Sequence, residues 1–408
     1  MIIAALSGFS WSLYATIDVY YHAATVGLNP LQLVLVGTTL EITVLLSETP
    51  TGILADLISR RLSIIIGYVL YGIGFLIEGS FPSFVPLMLG TVFWGLGATF
   101  ISGAEEAWIA DEIIATNGPP LQPIFLRGTQ WKKMGELLAI PFSIALAFIA
   151  VPIPILVSGL SHLVLAIFLA IFMPETGFQP TPRDARQPWR QLRAGISAVR
   201  LSPVLLFVLG IALFYGVYSE GFDRLWTKHL LDHFTLPIIG TLPIFIWWGI
   251  LNGVSSLLSI FLAEFTRRQL TTGSHRVIWL MLSITLFISL GIFFYAQIRW
   301  LVFALLAYIF ITVLRTLYIP LFTGWINGFI PSEVRATVIS LIWQVDSVGQ
   351  IAGGPPIGYV GLQVGTRWAL SCSAILLLPA TWLLARIRGK SPSPPILQQE
   401  SQGSENSP

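Results

Sequence analysis

The sequence predicts an all-α membrane protein, with twelve transmembrane helices in two six-helix bundles related by pseudo-two-fold symmetry. Hydrophobic residues make up 55% of the chain and charged residues only 10%, whereas an average soluble domain has roughly 25% charged residues. Most of the chain consists of apolar runs long enough to cross a bilayer, and most are apolar all round rather than along one stripe. These features exclude an ordinary soluble domain, and the near-neutral net charge indicates no nucleic-acid partner.

A short pattern occurs twice in the chain and indicates two related halves. Residues 54–61 read Leu-Ala-Asp-Leu-Ile-Ser-Arg-Arg, and residues 262–268 read Leu-Ala-Glu-Phe-Thr-Arg-Arg. Two further triplets, 127–129 (Arg-Gly-Thr) and 335–337 (Arg-Ala-Thr), stand at the same separation. Internal repeats in an apolar chain are typical of transporter architecture.

The apolar runs set the predicted domain organisation. We predict spans at about residues 2–24, 31–54, 62–80, 84–110, 129–150, 152–173, 203–225, 238–263, 276–296, 299–322, 334–360 and 364–387. They form an N-terminal bundle at 1–173 and a C-terminal bundle at 203–390. Between them, residues 174–202 are predicted to be a cytoplasmic linker with a short amphipathic helix on the membrane surface, or else an irregular linker. Residues 391–408 are predicted to be a disordered tail.

The distribution of basic residues predicts the orientation. With twelve spans, one side of the membrane receives only Arg224, Lys228, Arg299 and Arg367, and most other Lys and Arg residues fall on the opposite side. The positive-inside rule then places both termini in the cytoplasm and predicts a multi-pass protein of the plasma (inner) membrane. No cleavable signal peptide is evident, and the sequence leaves open whether the native chain starts upstream of Met1.

The loop between the second and third spans carries the most specific motif. Gly52, Asp56, Arg60 and Arg61 resemble the hallmark loop of the major facilitator superfamily, of the bacterial type. Other positions extend the resemblance along the chain: the weaker copy at Glu264 and Arg268, a Pro-Glu-Thr sequence at 174–176, and a Gly-Pro pattern at 349–358. The resemblance implies the facilitator fold and transport by alternating access, usually by a monomer.

The loop residues are candidates for gating. Gly52 is expected to allow close helix approach, and Arg60 or Arg61 to pair with Asp111 at the cytoplasmic end of the fourth span. Such pairs would hold the cytoplasmic side shut in one state and release it in the other. A plain helix-capping and topology signal is the alternative, and both can hold. The gating candidates are Gly52, Asp56, Arg60, Arg61, Asp111, Glu264 and Arg268.

Ionisable residues inside the spans are candidates for a substrate or proton site. A charge at membrane depth costs roughly 2.5–3.5 kcal/mol, so it usually faces a cavity or a partner. Asp18 and Arg315 are the sharpest candidates. Arg315 is expected either to hold an anionic substrate group or to counter a carboxylate, with Glu105 or Asp346 as its structural partner.

Other candidates have weaker support. Residues 220, 223 and 224 (Glu, Asp and Arg) lie near the outer end of the seventh span and are expected to be solvated there, with Glu220 and Asp223 facing the central cavity as the alternative. Glu41 and Glu136 are candidate proton sites because an apolar setting favours the neutral form of a carboxyl group. Trp94 and Trp343 lie far enough inside to line a pocket, although core packing is the favoured interpretation. The substrate and proton candidates are Asp18, Glu41, Glu105, Glu136, Arg315, Asp346, Trp94 and Trp343.

These features predict a secondary transporter that moves a small organic solute, by efflux in the favoured version, and the sequence leaves coupling to protons open. An aromatic, weakly charged cavity suits amphipathic or cationic molecules. The fourth span lacks the Arg, and the fifth the glycine-proline pattern, of the superfamily's drug–proton antiporters, which weakens the interpretation as a drug–proton exchanger. The alternatives are an importer of an anionic solute held by Arg315, a channel or a transport-like receptor, and a polytopic membrane enzyme.

The sequence predicts no cofactor and no metal centre. Cys372 is the only cysteine, and the five histidines are scattered, with only His229 and His233 close together. The expected partners are the solute, protons and membrane lipid.

Overall fold

The computed structural model describes residues 1–116, 120–178, 197, 199–200, 202–238, 242–269, 274–327, 330 and 335–387. They form twelve long helices: α1 (Ile2–Thr25), α2 (Pro30–Leu57), α3 (Arg60–Ser80), α4 (Phe84–Ala115), α5 (Leu121–Ala147), α6 (Ile153–Phe172), α7 (Pro203–His233), α8 (Ile246–Gln269), α9 (Ser274–Gln297), α10 (Leu301–Asn327), α11 (Arg335–Val364) and α12 (Thr366–Ile387). Within this part of the chain, all but α5 and α11 are long and apolar enough to cross a membrane.

The helices pack as two bundles with the same internal arrangement. In the first six helices, α1 packs on α5 and α6, α3 packs on α4 and α6, and α2 packs on α4. Each of these contacts recurs six helices later, so that α7 packs on α11 and α12, α9 on α10 and α12, and α8 on α10. The helices of the N-terminal bundle (α1–α6) and of the C-terminal bundle (α7–α12) are therefore related by pseudo-two-fold symmetry, as the repeat predicts.

Successive helices cross the protein in alternating directions, which defines two faces. We call the side that carries Arg60, Arg61 and Arg127 the basic face, and the opposite side the far face. The turn at residues 58–59, next to Arg60, lies at the basic face. The chain crosses the protein twice before that turn, through α1 and α2, so α1 starts at the basic face as well.

Glycines bring helices of each bundle into direct backbone contact. On α1 and α5, a Cβ added at Gly8 would overlap the carbonyl oxygen of Lys132, and one at Gly135 would overlap that of Ala5. On α7 and α11, Gly216 lies in the same way against the backbone of Asp346. The number of residues between Gly8 and Gly216 is the same as that between the two copies of the loop motif. The two close crossings are therefore equivalent positions of the repeat, and α1 and α7 occupy equivalent places in their bundles.

Two membrane helices are interrupted, and both interruptions lie near polar residues. In α1 the regular helix ends at Ala15, resumes at Asp18–Tyr20 and continues as a wider π-helical turn at Tyr21–Thr25. In α4 the break falls at Gly103, whose φ of 72° is one that residues with a side chain rarely adopt. Gly103 therefore serves a bend and not close helix packing, since an added Cβ there meets open space.

The predicted spans agree with the observed helices to within about six residues, except at three ends that are displaced by about eight residues. Helix α5 begins at Leu121 instead of about residue 129, α7 continues to His233, and α8 begins at Ile246 instead of about residue 238. Near the displaced ends of α5 and α7, charged residues suggested loops, but they stay in the helices. In α7 they form a pair one helical turn apart, because Lys228 Nζ lies 2.8 Å from Asp232 Oδ1. Most of the predicted linker and the whole of the predicted tail lie outside the described residues, and the domain boundaries stay predictions.

The contact between α1 and α5 can be tested with a matched pair of alanine variants. Gly135→Ala places a methyl group against the backbone of α1, whereas an added Cβ at Gly128 of the same helix meets nothing within 4 Å. We expect Gly135→Ala to lower the stability of the purified protein by about 1–3 kcal/mol, seen as a lower midpoint of thermal unfolding. Gly128→Ala should leave the midpoint nearly unchanged, and equal effects of the two changes would contradict the packing described.

Candidate functional site

A polar cavity lies between the two bundles. It has a volume of about 410 Å³ and is lined by residues of α1, α2, α4, α7, α8, α10 and α11. Its walls combine aromatic rings with ionisable and amide side chains, and the lining residues that carry such groups are Trp11, Tyr14, Asp18, Glu41, Trp94, Glu220, Asp223, Arg224, Trp226, Trp248, Asn252, Tyr308 and Gln350. A transporter of the predicted kind needs such a chamber, shared by both halves of the molecule.

Aromatic contacts between the bundles close this cavity toward the far face. Tyr20 of α1 packs on Trp248 of α8 with ring centroids 4.6 Å apart, and Phe148, just after α5, packs edge-on against Phe245 at 5.4 Å. Beside them α2 and α11 cross closely, because a Cβ added at Gly354 would lie 2.9 Å from Val34 Cγ1. We call these contacts between the bundles the far-side seal.

The cavity continues toward the basic face. A second space of about 350 Å³ shares Trp11, Thr16 and Asn252 with the central cavity and extends along α5, α8 and α10 to Lys133 and Ala263. Because the far side is sealed and this space leads the other way, the structure represents a state in which the cavity faces the basic face.

Two carboxyl groups of the N-terminal bundle face the central cavity. Asp18 follows the break in α1, and its Oδ1 accepts a hydrogen bond of 2.6 Å from the backbone N–H of Val19. Glu41 reaches the cavity from the middle of α2. The aromatic wall beside them includes Trp94, whose ring lies 5.6 Å from that of Trp11. Three of the eight predicted candidates, Asp18, Glu41 and Trp94, therefore line the same cavity.

The C-terminal bundle supplies two ion pairs to the same cavity. Arg224 Nε donates to Glu220 Oε1 at 2.9 Å along one turn of α7. Arg315 of α10 forms a two-point pair with Asp223, in which Nη2 donates to Oδ2 at 2.7 Å. Glu220 is buried, so the expectation that it is solvated is wrong, whereas the Asp223 side chain is partly exposed to the cavity. The partner expected for Arg315, Glu105 or Asp346, is also wrong, because Asp223 binds both arms of the guanidinium group.

A side pocket of about 160 Å³ adjoins the cavity within the C-terminal bundle. Asp346 and Trp343 of α11 line it together with Arg315. Asp346 accepts a hydrogen bond of 2.9 Å from Gln350, which also lines the central cavity. Trp343 is 40% exposed, so it lines this pocket and is not part of the packed core that was favoured for it.

The two remaining candidate acids lie further toward the basic face. Glu136 lines the second space, where its carboxylate lies 2.6 Å from Lys133 Nζ on the same helix. Glu105 follows the break in α4 and is not among the described residues that line these three cavities. The structure thus separates these two acids from the Asp18–Glu41 group.

The loop motif binds helices of one bundle to each other. Arg60 pairs with Asp111 of α4, as predicted, and lies 3.6 Å from Asp56. The Ser59 hydroxyl donates to Glu175 Oε2 at 2.7 Å, and the Arg61 backbone N–H donates to Glu175 Oε1 at 2.9 Å. All of these partners belong to the N-terminal bundle or directly follow it, so in this state the pairs hold that bundle together at the basic face.

Other motif positions have a different outcome. A Cβ added at Gly52 meets nothing within 4 Å, so the expected close helix approach at this glycine is wrong: α2 faces open space there. Glu264 of the second motif is half-buried. The side chain of Arg268 lies outside the described residues. The gating roles of the motif residues stay predictions.

Sequence reasoning missed one buried pair beside the cavity. His22 Nε2 of α1 lies 2.5 Å from Glu78 Oε1 of α3, and the side chains are 3% and 0% exposed. Glu78 stands at the end of its predicted span, a position at which a carboxylate is normally solvated. The available signal was that Glu78 and His22 each lie in an otherwise apolar run, where an ionisable residue usually has a partner.

Comparisons with known proteins agree with this architecture. No family model matches the chain. The chain is 21% identical over 382 residues to YxaM of Bacillus subtilis (strain 168), an uncharacterized MFS-type (major facilitator superfamily) transporter, with 92% of each protein covered.

Solved structures show the same fold at low sequence identity. A variant of the nucleoside transporter NupG has a TM-score of 0.77 and 15% identity, over 95% of this chain and 98% of that one. The POT family transporter PepTSo gives 0.73 and 14%, over 96% and 97% of the two chains. An inward-facing bacterial homolog of the human lysosomal transporter Spinster gives 0.68 and 15%, over 96% and 97%.

The far-side seal can be tested at Gly354 of α11. A Cβ added there would lie 2.9 Å from Cγ1 of Val34, a fully buried residue of α2, whereas one added at Gly253 of α8 meets nothing within 4 Å. We expect Gly354→Ala to push α2 and α11 apart and to open the far side. A cysteine replacing Val19, in a background with Cys372→Ser, should then react several times faster with a membrane-impermeant thiol reagent added at the far face. Gly253→Ala should leave the rate unchanged, and no difference between the variants would contradict the seal.

The Asp223–Arg315 pair can be tested by removing one charge and then both. Arg315→Met leaves Asp223 without its counter-charge, and we expect a loss of about 1–3 kcal/mol of stability. The loss stays below that of a fully buried pair because the Asp223 side chain is 44% exposed. Adding Asp223→Asn should restore most of the stability, measured by thermal unfolding. A double variant as unstable as the single one would show that the charges are not coupled.

Proposed function

We propose, from the premise that the chain is a membrane transporter of the major facilitator type and not an enzyme, that it exports a small organic cation in exchange for protons. The observation that carries this proposal is the charge of the central cavity. Glu220 pairs with Arg224 and Asp223 with Arg315, which leaves Asp18 and Glu41 as cavity acids without an ion pair among the described residues. The unpaired charge that faces the solute is therefore negative.

The aromatic lining supports the same class of solute. Side chains of Trp11, Trp94, Trp226, Trp248 and Tyr308 surround the two carboxyl groups. Aromatic faces attract cations, and the attraction grows when water is excluded. A solute with a positive charge and an apolar body would contact both kinds of group, which matches an amphipathic organic cation.

Pairing of the arginines counts against the alternative of an anionic solute. Arg315 already binds both carboxylate oxygens of Asp223, and Arg224 is bound to Glu220. An anion could engage either arginine only by displacing a carboxylate that stays nearby. An anion importer is therefore the weaker candidate for this cavity.

Two points support exchange with protons: the cost of moving a cation against the membrane potential, and the presence of carboxyl groups that can bind a proton. With both termini and the basic face in the cytoplasm, as we propose from the positive-inside rule, export moves positive charge against a potential that is negative inside. That step costs about 2.3 kcal/mol per charge and 100 mV. Carboxyl groups that bind either a proton or the cation, but not both, would link the inward proton flow to export.

Alternating access would move the site between the two faces. In our proposal the two bundles rock about the central cavity, breaking the far-side seal as the basic side closes. The loop pairs of Arg60 then keep the N-terminal bundle rigid during the motion. Asp56, Arg61, Asp111, Glu264 and Arg268 are proposed to act in the same way at the basic face.

Transport by the reconstituted protein tests the proposal. We expect saturable, counterflow-competent flux of organic cations such as ethidium or choline in proteoliposomes, driven by an imposed pH gradient, with no flux of benzoate. Asp18→Asn should abolish the response to the gradient, whereas Asp232→Asn, at an exposed position of α7, should retain it. Flux of benzoate instead of the cations, or flux insensitive to pH, would contradict the proposal.

A further inference from the structure

The buried His22–Glu78 pair has a geometry that the transport proposal does not use. The two side chains join α1 to α3 inside the N-terminal bundle, with Nε2 and Oε1 2.5 Å apart. Glu78 Oε2 is also buried and has no hydrogen-bond partner. A buried carboxylate oxygen that accepts no hydrogen bond destabilises the folded protein, because it has lost its hydrogen bonds to water and has gained no other donor. Protonation of the carboxyl group lowers this cost.

The backbone of α1 is distorted at this place. Residues Tyr21–Thr25 form a π-helical turn, which follows the break in α1 by only a few residues. Two consecutive residues of this turn reach the same residue of α3, because the Tyr21 hydroxyl donates to the backbone oxygen of Glu78 at 2.8 Å. Neighbouring residues of a regular helix point in directions about 100° apart, so the wider turn allows this double contact. Such turns frequently occur at functional sites.

The charge states available to the pair determine what it can bind. With neutral His22 and ionised Glu78, the pair carries a net negative charge in a site without water. One added proton, on the imidazole or on the carboxyl group, makes the pair neutral overall. Since burial penalises net charge, the neutral state is favoured as long as the site stays dry. The pair therefore holds one exchangeable proton, and contact with water allows it to leave.

The position of the pair relates it to both sides of the transport cycle. Asp18, which faces the central cavity, precedes His22 by about one helical turn. Tyr20 on the same segment forms the far-side seal with Trp248. Opening the seal would therefore move the segment that carries His22, and in the present state the cavity-lining Asp18 lies about one turn away on that segment.

The other ionisable groups around the pair come from three helices. Tyr14 of α1 stacks on Phe75 of α3, one turn before Glu78, and its hydroxyl interacts with the Glu78 carboxyl group. Glu220 and Arg224 of α7 line the cavity beside Asp18 and pair with each other. On α6, His162 packs edge-on against Phe75 and bonds to the backbone of its own helix. Among the described residues, Glu78 is thus the group in direct polar contact with the His22 ring.

We propose that the His22–Glu78 pair is a second proton-binding site, which exchanges a proton with water when the far side opens and with Asp18 when the cavity faces the basic face. The proton moves between oxygen and nitrogen atoms, and no other bond forms or breaks. The link to Asp18 rests on the proposed proton exchange, but the binding of a proton by the pair does not.

Proton binding can be measured without a solute. The probe is the proton itself: difference infrared spectra of the full chain in lipid nanodiscs between about pH 5 and pH 8, the range in which histidine charge changes. We expect a band of a protonated carboxyl group that disappears in Glu78→Gln and shifts in His22→Gln but remains in Asp18→Asn. The change in this band between the two pH values should be larger in Gly354→Ala, which opens the far side. The proposal would be overturned if Glu78→Gln left the spectra unchanged both in the parent protein and in the variant that opens the far side.

Transport separates this site from a structural contact. The double variant His22→Leu/Glu78→Leu replaces the pair with apolar side chains, a change that folded proteins often tolerate. We expect it to fold and to keep counterflow within about twofold, while flux driven by a pH gradient falls about tenfold or more. Gradient-driven flux equal to that of the parent would show that the pair is only structural. An infrared band without any organic-cation flux would leave the proton site standing and reject the proposed function.

Discussion

Charged side chains can lie at the depth of a bilayer only where each meets a partner or a space that water and solute can enter. That constraint organises this protein. Around the central cavity, Glu220 and Asp223 are neutralised by two arginines, and Asp18 and Glu41 face the open space. The apolar outer surfaces of the same helices face lipid. Removing the cavity would leave these charges with no tolerable position, so the fold and the site depend on each other.

The two halves share a framework but differ in chemistry. Equivalent glycines set the close crossings of α1 on α5 and of α7 on α11, while the charges are distributed unequally. The C-terminal bundle contributes arginine–carboxylate pairs to the cavity, and the N-terminal bundle contributes Asp18 and Glu41, which have no ion pair among the described residues, and the buried His22–Glu78 pair. The two walls of the cavity therefore differ in charge although they share a framework.

The sequence predicts the fold because long apolar runs, a duplicated motif and the asymmetry of basic residues are all one-dimensional features. It also identifies Asp18, Glu41 and the Arg60–Asp111 pair, since each stands out locally. It does not identify partners across helices: Arg315 meets Asp223, and Glu78 meets His22, through packing that no local pattern records. Charged residues within α7 look like the end of a span from the sequence, because pairing along the helix is visible only once the helix is known to continue.

Rocking of two rigid bundles about one cavity is the central claim, and distances between spin labels test it most directly. Cysteines at Leu57 and Phe265 would report on the basic face, and cysteines at Phe81 and Trp300 on the far face; all four side chains are exposed and each pair joins the two bundles. In a Cys372→Ser background, the account predicts that the two distances change in opposite directions as pH and organic cation are varied. A single fixed distance at both faces, or widening of both together, would contradict it.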